Sequence, residues 1–173
     1  MKVQENNITK FCSFYVSNLH LVTMLLPYIN KKINKKVKIA TILEKELESE
    51  VKILLEKLNL KNKEKILSLN WNKKNKIEKL EKIENIKEIV IFINGSKEFI
   101  EKQNKKLEHI LKEKAQNSKV KIVNCYEITE MKGNVRKILD KHDKILNTSG
   151  EKEITEIFVD YRKTQEEGIK IVN

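Results

Sequence analysis

The feature that most constrains the fold is an unbroken run of five β-forming apolar residues, Ile-Val-Ile-Phe-Ile, at residues 89–93. A strand with no polar position has to be covered on both faces, which is typical of a central strand in a parallel sheet. Asn94, Gly95 and Ser96 follow directly and supply a turn and a helix cap. This run therefore predicts a sheet with helices above and below it.

The rest of the chain alternates short β-prone segments with helical patterns. Further strands are predicted at residues 11–16, 37–43, 66–71 and 120–125. Helices are predicted at residues 19–33, 44–59, 97–115 and 132–147, with a shorter one around Ile77, Leu80 and Ile83. This alternation predicts an α/β fold: a three-layer, mostly parallel five-stranded sheet with helices on both faces, of the Rossmann or RecA-like type.

Two of the predicted helices differ in how they should be buried. Residues 44–59 place their apolar side chains in one stripe of helical period, as an amphipathic surface helix does. Residues 19–33 are apolar nearly all round and should therefore lie deep in the core. Pro27 lies inside this second helix and should kink it or break it.

The length of 173 residues suits one domain with a substantial core. We expect a single α/β domain over residues 1–150 and a short C-terminal extension, residues 151–173, packed on it as a hairpin or a helix. No stretch approaches the roughly 20 apolar residues of a membrane span and no signal peptide opens the sequence, so we expect no membrane association. Two cysteines form no disulfide framework, which favours a reduced, cytoplasmic setting.

The formal net charge of +11 is weaker support for nucleic-acid binding than its size suggests. All but two of the 36 basic residues are lysine, whereas phosphate and base recognition favours the planar fork of arginine. A solvated lysine surface is therefore the simpler interpretation. The charge is nevertheless unevenly placed, since residues 1–43 carry +6 and residues 151–173 carry −2. This asymmetry predicts head-to-tail contacts or a homodimer.

Part of the excess is concentrated where the first helix should end. The cluster consists of Lys31, Lys32, Lys35 and Lys36. Cations are stabilised at a helix C-terminus by the helix dipole, which is a structural explanation for the cluster. The functional alternative is a nucleic-acid-binding accessory protein that uses the lysines of residues 31–38.

The search for catalytic motifs excludes the common ones. The sequence has no P-loop, no G-x-G-x-x-G, no C-x-x-C, no pair of histidines one helical turn apart and no G-x-S-x-G. We therefore predict no catalytic residue, no cofactor and no metal site, and a protein that is not an enzyme. The remaining enzymatic alternative is an unrecognised site at the strand ends that uses His20 and Glu127.

Fold geometry predicts where a ligand would bind. In open α/β sheets ligands bind beyond the C-terminal ends of the strands, where the strand order reverses. If the strand at residues 11–16 neighbours the strand at residues 89–93, six residues wall that crevice: Ser17, Asn18, His20, Asn94, Gly95 and Ser96. The serines and Asn18 are equally explained as helix caps, and His20 as a surface histidine in a turn. His142, on an apolar stripe, is better explained as a satisfied histidine at the edge of the core.

One resemblance points to a function. The run Phe14-Tyr15-Val16-Ser17, the helical segment Leu25-Leu26-Pro27-Tyr28-Ile29 and the strand at residues 37–43 resemble the start of the MEDS domain, the DcmR-type sensory domain. The resemblance spans roughly residues 11–130 and implies a RecA-like core that has lost its P-loop and acts as a sensor. We therefore expect a non-enzymatic sensory or regulatory domain that binds a small ligand or a protein partner at the C-terminal edge of the sheet.

Overall fold

Six strands, six α-helices and a 3₁₀ helix (Ile128–Met131) account for most of the computed structural model, which describes residues 7–72 and 86–163. The helix predicted around Ile77, Leu80 and Ile83 lies outside the described residues. In chain order the elements are β1 (Ile8–Tyr15), α1 (Asn18–Asn34), β2 (Lys38–Leu43), α2 (Glu48–Lys57), α3 (Lys63–Leu67), β3 (Glu88–Asn94), α4 (Lys97–Lys114), β4 (Lys119–Glu127), α5 (Val135–Asp140), β5 (Lys144–Asn147), β6 (Gly150–Glu153) and α6 (Ile154–Ile157).

The strands form one sheet in the order β2-β3-β4-β1-β5-β6. All pairs are parallel except the hairpin between β5 and β6. The predicted fold class is confirmed: this is an α/β fold with a mostly parallel sheet, although the sheet has six strands instead of five. The run at residues 89–93 lies in β3, between β2 and β4, and all five of its side chains are buried, as a covered internal strand requires.

Alternate side chains of the strands enter two separate cores, one on each face of the sheet. On one face α1, α2 and α3 pack on Phe11, Phe92 and Val123. On the other face α4 and α5 pack on Ile91 and Ile122. Each strand therefore contributes to both cores through its two-residue period.

Helix α1 is buried over most of its length, as predicted, and it continues through Pro27 to Asn34. Proline has no N–H, so the carbonyl of Thr23 loses its helical donor. Both Thr23 and Pro27 are exposed, which leaves that carbonyl open to solvent. The buried neighbours Leu26 and Tyr28 hold the helix together on its inner side.

The strand predicted at residues 66–71 is wrong. The structure has the short helix α3 here, followed by an irregular segment that leads to Trp71. The indole N–H of Trp71 donates to the carbonyl of Ile66 at 2.7 Å, and the backbone N–H of Leu47 donates to the carbonyl of Trp71 at 2.8 Å. Ile66 and Trp71 are buried, but the chain folds back on itself between them instead of extending.

The helix predicted at residues 132–147 is also wrong in its second half. Helix α5 ends at Asp140, and β5 begins at Lys144 and pairs with β1. Ile145 and Leu146 are buried on opposite faces of the sheet, which a strand allows and a helical stripe does not. The free edge of β1 supplies the hydrogen bonds that favour the strand.

The predicted C-terminal extension begins inside the sheet. Residue 151 belongs to β6, which pairs with β5 in a hairpin, and α6 follows at once. The helical alternative is therefore correct for residues 154–157. The alternative of a hairpin within the extension finds no strand at residues 154–163, and residues 164–173, which it would also need, lie outside the described residues.

Candidate functional site

The two halves of the predicted strand-end crevice do not lie on neighbouring strands. Strand β4 separates β1 from β3, so the condition on which the crevice was predicted is not met. Ser17 caps α1, where its Oγ accepts from the N–H of His20 at 3.1 Å. Ser96 caps α4, where its Oγ accepts from the N–H of Phe99 at 3.2 Å. Asn18 is the first residue of α1. Both serines therefore have the capping role that the sequence also allowed.

The turn after β3 is closed by packing. The side-chain amide of Asn94 is buried and donates to the hydroxyl of Tyr15 at 2.7 Å. A Cβ on Gly95 would lie 2.5 Å from Phe99 and 2.8 Å from Glu44, so glycine is required there by a close approach of side chains. This turn is part of the core and leaves little room for a ligand.

His20 and Glu127, the pair proposed for an enzymatic site at the strand ends, each form a hydrogen bond with a residue close to them in sequence. Nδ1 of His20 accepts from the backbone N–H of Val16 at 3.1 Å. A carboxylate oxygen of Glu127 accepts from the hydroxyl of Thr129 at 3.1 Å. Within the described part of the chain, no hydrogen bond joins His20 to Glu127.

The four lysines of the predicted basic cluster lie at the end of α1, but they do not act alike. Lys36 adopts a left-handed conformation (φ 61°), and the N–H groups of residues 35–37 bond back to the carbonyls of Lys32 and Ile33. This is a Schellman-type helix end. Lys31, Lys35 and Lys36 are exposed, whereas Lys32 points inward with 13% of its side chain exposed.

Three of these lysines line a cavity of about 460 Å³ between α1 and the β5–β6 hairpin, which we call the α1 cleft. Lys31, Lys32 and Lys35 form its cationic side. The turn of the hairpin contributes Thr148 and Ser149, which carry hydroxyl groups, to the lining. The cleft therefore combines positive charge with neutral hydrogen-bonding groups.

The remaining wall of the α1 cleft is apolar. It is formed by Met24, Pro27 and Leu60. The segment that carries Leu60 is tied to α1 because the backbone N–H of Asn62 donates to the side-chain oxygen of Asn30 at 3.0 Å. This hydrogen bond holds the apolar wall of the cleft in place without a ligand.

The hairpin is tied to α1 by a group of five side chains that we call the inner ion cluster: Tyr28, Lys32, Glu88, Lys121 and Glu151. The hydroxyl of Tyr28 donates to the Glu151 carboxylate at 2.9 Å, and Lys121 donates to both of its oxygens at 3.0 and 3.1 Å. Lys32 lies 3.5 Å from the same carboxylate and 3.8 Å from Glu88. Two ammonium groups and two carboxylates therefore balance one another in a partly buried place.

The pKa values of this cluster follow from burial and hydrogen bonding. Burial alone would raise the pKa of Glu151, but the hydrogen bonds from Lys121 and Tyr28 outweigh it and hold that pKa below its usual value. Burial and the neighbouring Lys121 lower the pKa of Lys32. Burial and the carboxylate of Glu151 raise the pKa of Tyr28, so its hydroxyl keeps its proton.

A second cavity, of about 280 Å³, lies on the opposite face of the sheet beside α4; we call it the α4 cavity. Its lining includes charged side chains and three buried polar side chains that bond to one another. Asn124 exchanges hydrogen bonds with Asn104 and donates to Nε2 of His142 at 2.9 Å. Nδ1 of His142 donates to the carbonyl of Ile138. Burial lowers the pKa of His142 to about 4, so the ring is neutral at pH 7.

The two cysteines are buried and are held as thiols. Cys12 and Cys125 are both buried free thiols on opposite faces of the sheet. Burial raises the pKa of Cys12 to about 12, which keeps it an unreactive thiol. Among residues 7–72 and 86–163, no three histidine, cysteine or carboxylate side chains come together as metal ligands do. No helix in that same part of the chain has both the length and the hydropathy to cross a membrane.

The chain matches no family model, and comparisons with curated proteins and with solved structures gave no match either. Its function has to be inferred from its own residues and their geometry.

Sequence reasoning found the lysines of the α1 cleft but missed its other side. The hairpin turn and Glu151 were not predicted, since residue 147 was placed at the end of a helix. The sequence Asn-Thr-Ser-Gly at residues 147–150 is nevertheless a turn signal. In the structure Asn147 accepts from the N–H of Ser149, and Gly150 has a φ of +103°, as such a turn requires.

Proposed function

We propose that this protein is a non-enzymatic sensory or regulatory domain that binds a small ligand in the α1 cleft. The observation that supports this most is the meeting of Lys31 and Lys35 with the hydroxyls of the hairpin turn across a cavity of about 460 Å³. Cavities of this volume are typical of small-molecule sites. The resemblance to the sensory MEDS domain favours the same class of function.

The walls of the α1 cleft are fixed by contacts that need no ligand. Asn62 fastens one wall to α1, and Tyr28 and Lys32 fasten the hairpin through Glu151. A pre-formed site avoids part of the entropic cost of ordering its side chains when a ligand binds. Ligand binding is therefore the function that this geometry supports.

The groups in the cleft are poorly suited to catalysis. A general base has to be free to take a proton, yet the Glu151 carboxylate accepts three hydrogen bonds from Tyr28 and Lys121. A general acid has to give a proton up, yet the raised pKa of Tyr28 holds its proton in place. These constraints favour a site that binds its ligand unchanged.

A thermal-shift screen against metabolites and nucleotides tests the proposal. We expect at least one compound to raise the melting temperature of the protein, because a ligand that binds only the folded state stabilises it. Ser149→Trp, in the exposed hairpin turn, should block the α1 cleft and abolish the shift. The matched variant Lys105→Trp, at the rim of the α4 cavity, should leave it intact. Chemical conversion of the stabilising compound by the protein would overturn the non-enzymatic assignment.

A second candidate function is nucleic-acid binding by the end of α1. It is favoured by the exposure of Lys31, Lys35 and Lys36 on one helix end. Contacts of three lysines with phosphates predict that the logarithm of the affinity falls with the logarithm of salt concentration at a slope of about −2.7. Replacing Lys31, Lys32, Lys35 and Lys36 by Glu should abolish such binding, and unchanged binding would exclude this candidate.

A further inference from the structure

We infer that the ligand of the α1 cleft is a small amphipathic anion, with a phosphate or carboxylate head and an apolar body. This inference rests on the proposed function, since it names the chemistry of the ligand at that same site. The head would lie against Lys31 and Lys35, and the body against Met24, Pro27 and Leu60.

The preference for an anion follows from the balance of charge in the lining. Lys31, Lys32 and Lys35 face the cleft, while Glu151 is the carboxylate on its lining. The charge of Lys32 is already compensated by Glu88 and Glu151. Within residues 7–72 and 86–163, neither Lys31 nor Lys35 takes part in an ion pair. Two cations are therefore left for a ligand.

The helix end does not cancel these two charges. The carbonyls at the C-terminus of a helix carry partial negative charge that would oppose an anion. Here the carbonyl of Lys32 accepts from the N–H groups of Lys35 and Val37, and that of Ile33 accepts from Lys36. These bonds satisfy the last carbonyls inside the helix end, so that the lysine side chains are what a ligand meets.

The preference for an apolar body follows from the apolar part of the lining. Pro27 is exposed and Leu60 is half-buried, so both present apolar surface to the cleft, whereas Met24 is already buried. A bare inorganic anion would leave this wall in contact with water. A ligand that also covers it gains about 25 cal/mol for each Å² of apolar surface removed from water.

A substitution of Glu151 should strengthen ligand binding, in contrast to substitutions of the lysines. Its carboxylate is part of the lining of the cleft and repels an anionic head, although it is held by Tyr28 and Lys121. Glu151→Gln removes this repulsion and frees part of the charge of Lys32. The variant should therefore bind an anion more tightly, whereas a variant that merely damages the fold would bind it less tightly.

Three probes separate the head from the body: 1-naphthyl phosphate, 1-naphthol and inorganic phosphate, each titrated into the full chain by calorimetry. We expect 1-naphthyl phosphate to bind at least about tenfold more tightly than either fragment, a difference of about 1.4 kcal/mol. Glu151→Gln should strengthen the binding of 1-naphthyl phosphate and leave that of 1-naphthol unchanged.

Two double variants that remove the same charge locate the head. Lys31→Gln with Lys35→Gln removes the cations of the cleft, and should weaken 1-naphthyl phosphate about tenfold without affecting 1-naphthol. Lys36→Gln with Lys38→Gln removes two exposed lysines of the same region that do not line the cleft. This second pair should leave the affinity for 1-naphthyl phosphate within about threefold of the original.

The outcomes distinguish the inference from the proposed function. If 1-naphthol binds as tightly as its phosphate and Ser149→Trp abolishes both, the cleft is a ligand site but the anionic head is wrong. If no probe binds in a way that Ser149→Trp affects but a compound from the thermal-shift screen does, the inference fails and the proposed function stands. If no compound of either set binds in a way that Ser149→Trp affects, both fail. If both double variants weaken binding equally and a single-stranded oligonucleotide competes with the probe, the lysines form a nucleic-acid surface and the inference is overturned.

Discussion

The α1 cleft and the α4 cavity lie on opposite faces of one sheet, and both place polar side chains at depth, but they do so with different chemistry. In the α4 cavity the buried side chains Asn104, Asn124 and His142 form a neutral network in which they satisfy one another. Five charged residues also line this cavity, but four of them form the ion pairs Lys10–Glu108 and Lys141–Glu101. The α1 cleft is lined by charges, of which Lys31 and Lys35 exceed what the inner ion cluster balances. A self-satisfied network serves the fold, whereas unbalanced charge beside an apolar wall can respond to a ligand.

The largest effect that separates the two regions is expected at Asn124. Asn124→Ala would leave Oδ1 of Asn104 and Nε2 of His142 without donors, and two orphaned acceptors at this depth cost about 4 kcal/mol of unfolding free energy. Urea denaturation measures this loss. Asn7→Ala, which removes an exposed hydrogen bond to Gln116, should change the free energy of unfolding by less than about 0.5 kcal/mol. If Asn124→Ala lost as little unfolding free energy as Asn7→Ala, the network would have no structural role.

The next effect is a dependence of stability on pH that belongs to the α4 cavity. The pKa of His142 is lowered from 6.5 to about 4 in the folded chain, so the unfolded chain binds the proton first as the pH falls. The stability that His142 contributes is therefore fully present above pH 6.5 and is lost as the pH falls toward 4. Between pH 7.5 and 5 this group should remove about 2 kcal/mol of unfolding free energy.

His142→Asn removes that titration and provides the comparison. The stability of the variant should fall less steeply over the same pH interval, measured by urea denaturation at each pH. His109→Asn changes an exposed histidine and should follow the original curve. Parallel curves for His142→Asn and the original chain would contradict the assignment of a neutral, buried His142.

A smaller effect probes the inner ion cluster. Tyr28→Phe removes the hydrogen bond to the Glu151 carboxylate but keeps the edge contact of the ring with Phe92, and should cost about 1.5 kcal/mol. Tyr161→Phe removes a more exposed bond to Asp140 and should cost under about 1 kcal/mol. Thermal unfolding of both variants shows whether the Tyr28–Glu151 bond contributes more stability than the Tyr161–Asp140 bond. A larger loss for Tyr161→Phe would contradict this ranking.

The smallest effect is a gain in stability at the end of α1. Lys36 has a φ of 61°, a conformation that costs an L side chain about 1 kcal/mol and glycine almost nothing. Lys36→Gly should therefore raise the free energy of unfolding by about that amount. Lys35→Gly, where φ is −90°, should lower it, since glycine there only adds freedom to the unfolded chain. A loss in both variants would contradict the helix end described here.

The sequence predicted the fold class because local patterns determine it. A run such as residues 89–93 has to be buried on both faces wherever it lies, and the stripe of residues 44–59 predicts the helix α2 without knowledge of its neighbours. The errors fall where tertiary contacts decide. Residues 144–147 become a strand because β1 has a free edge, and residues 66–71 fold back because Trp71 bonds to Ile66.

The α1 cleft could be predicted only in part for the same reason. Lys31, Lys32 and Lys35 are adjacent in sequence, and their clustering is visible there. Their partner across the cleft is not, since Tyr28 and Glu151 are 123 residues apart along the chain. Glu151, in the acidic C-terminal segment, forms an ion pair with Lys32, in the basic N-terminal one, within a single chain. The head-to-tail contacts or homodimer that the charge asymmetry predicts stay a prediction.

A map of amide chemical shifts in the ¹⁵N-labelled protein during titration with 1-naphthyl phosphate shows directly where the ligand binds. If it binds in the α1 cleft, the largest changes fall on residues 24–35 and 147–151, the two sides of the cleft, and residues 104, 124 and 142 of the α4 cavity stay unchanged. Changes centred on residues 17–20 and 94–96, or on the α4 cavity, would place the ligand elsewhere and rule out the α1 cleft as its site.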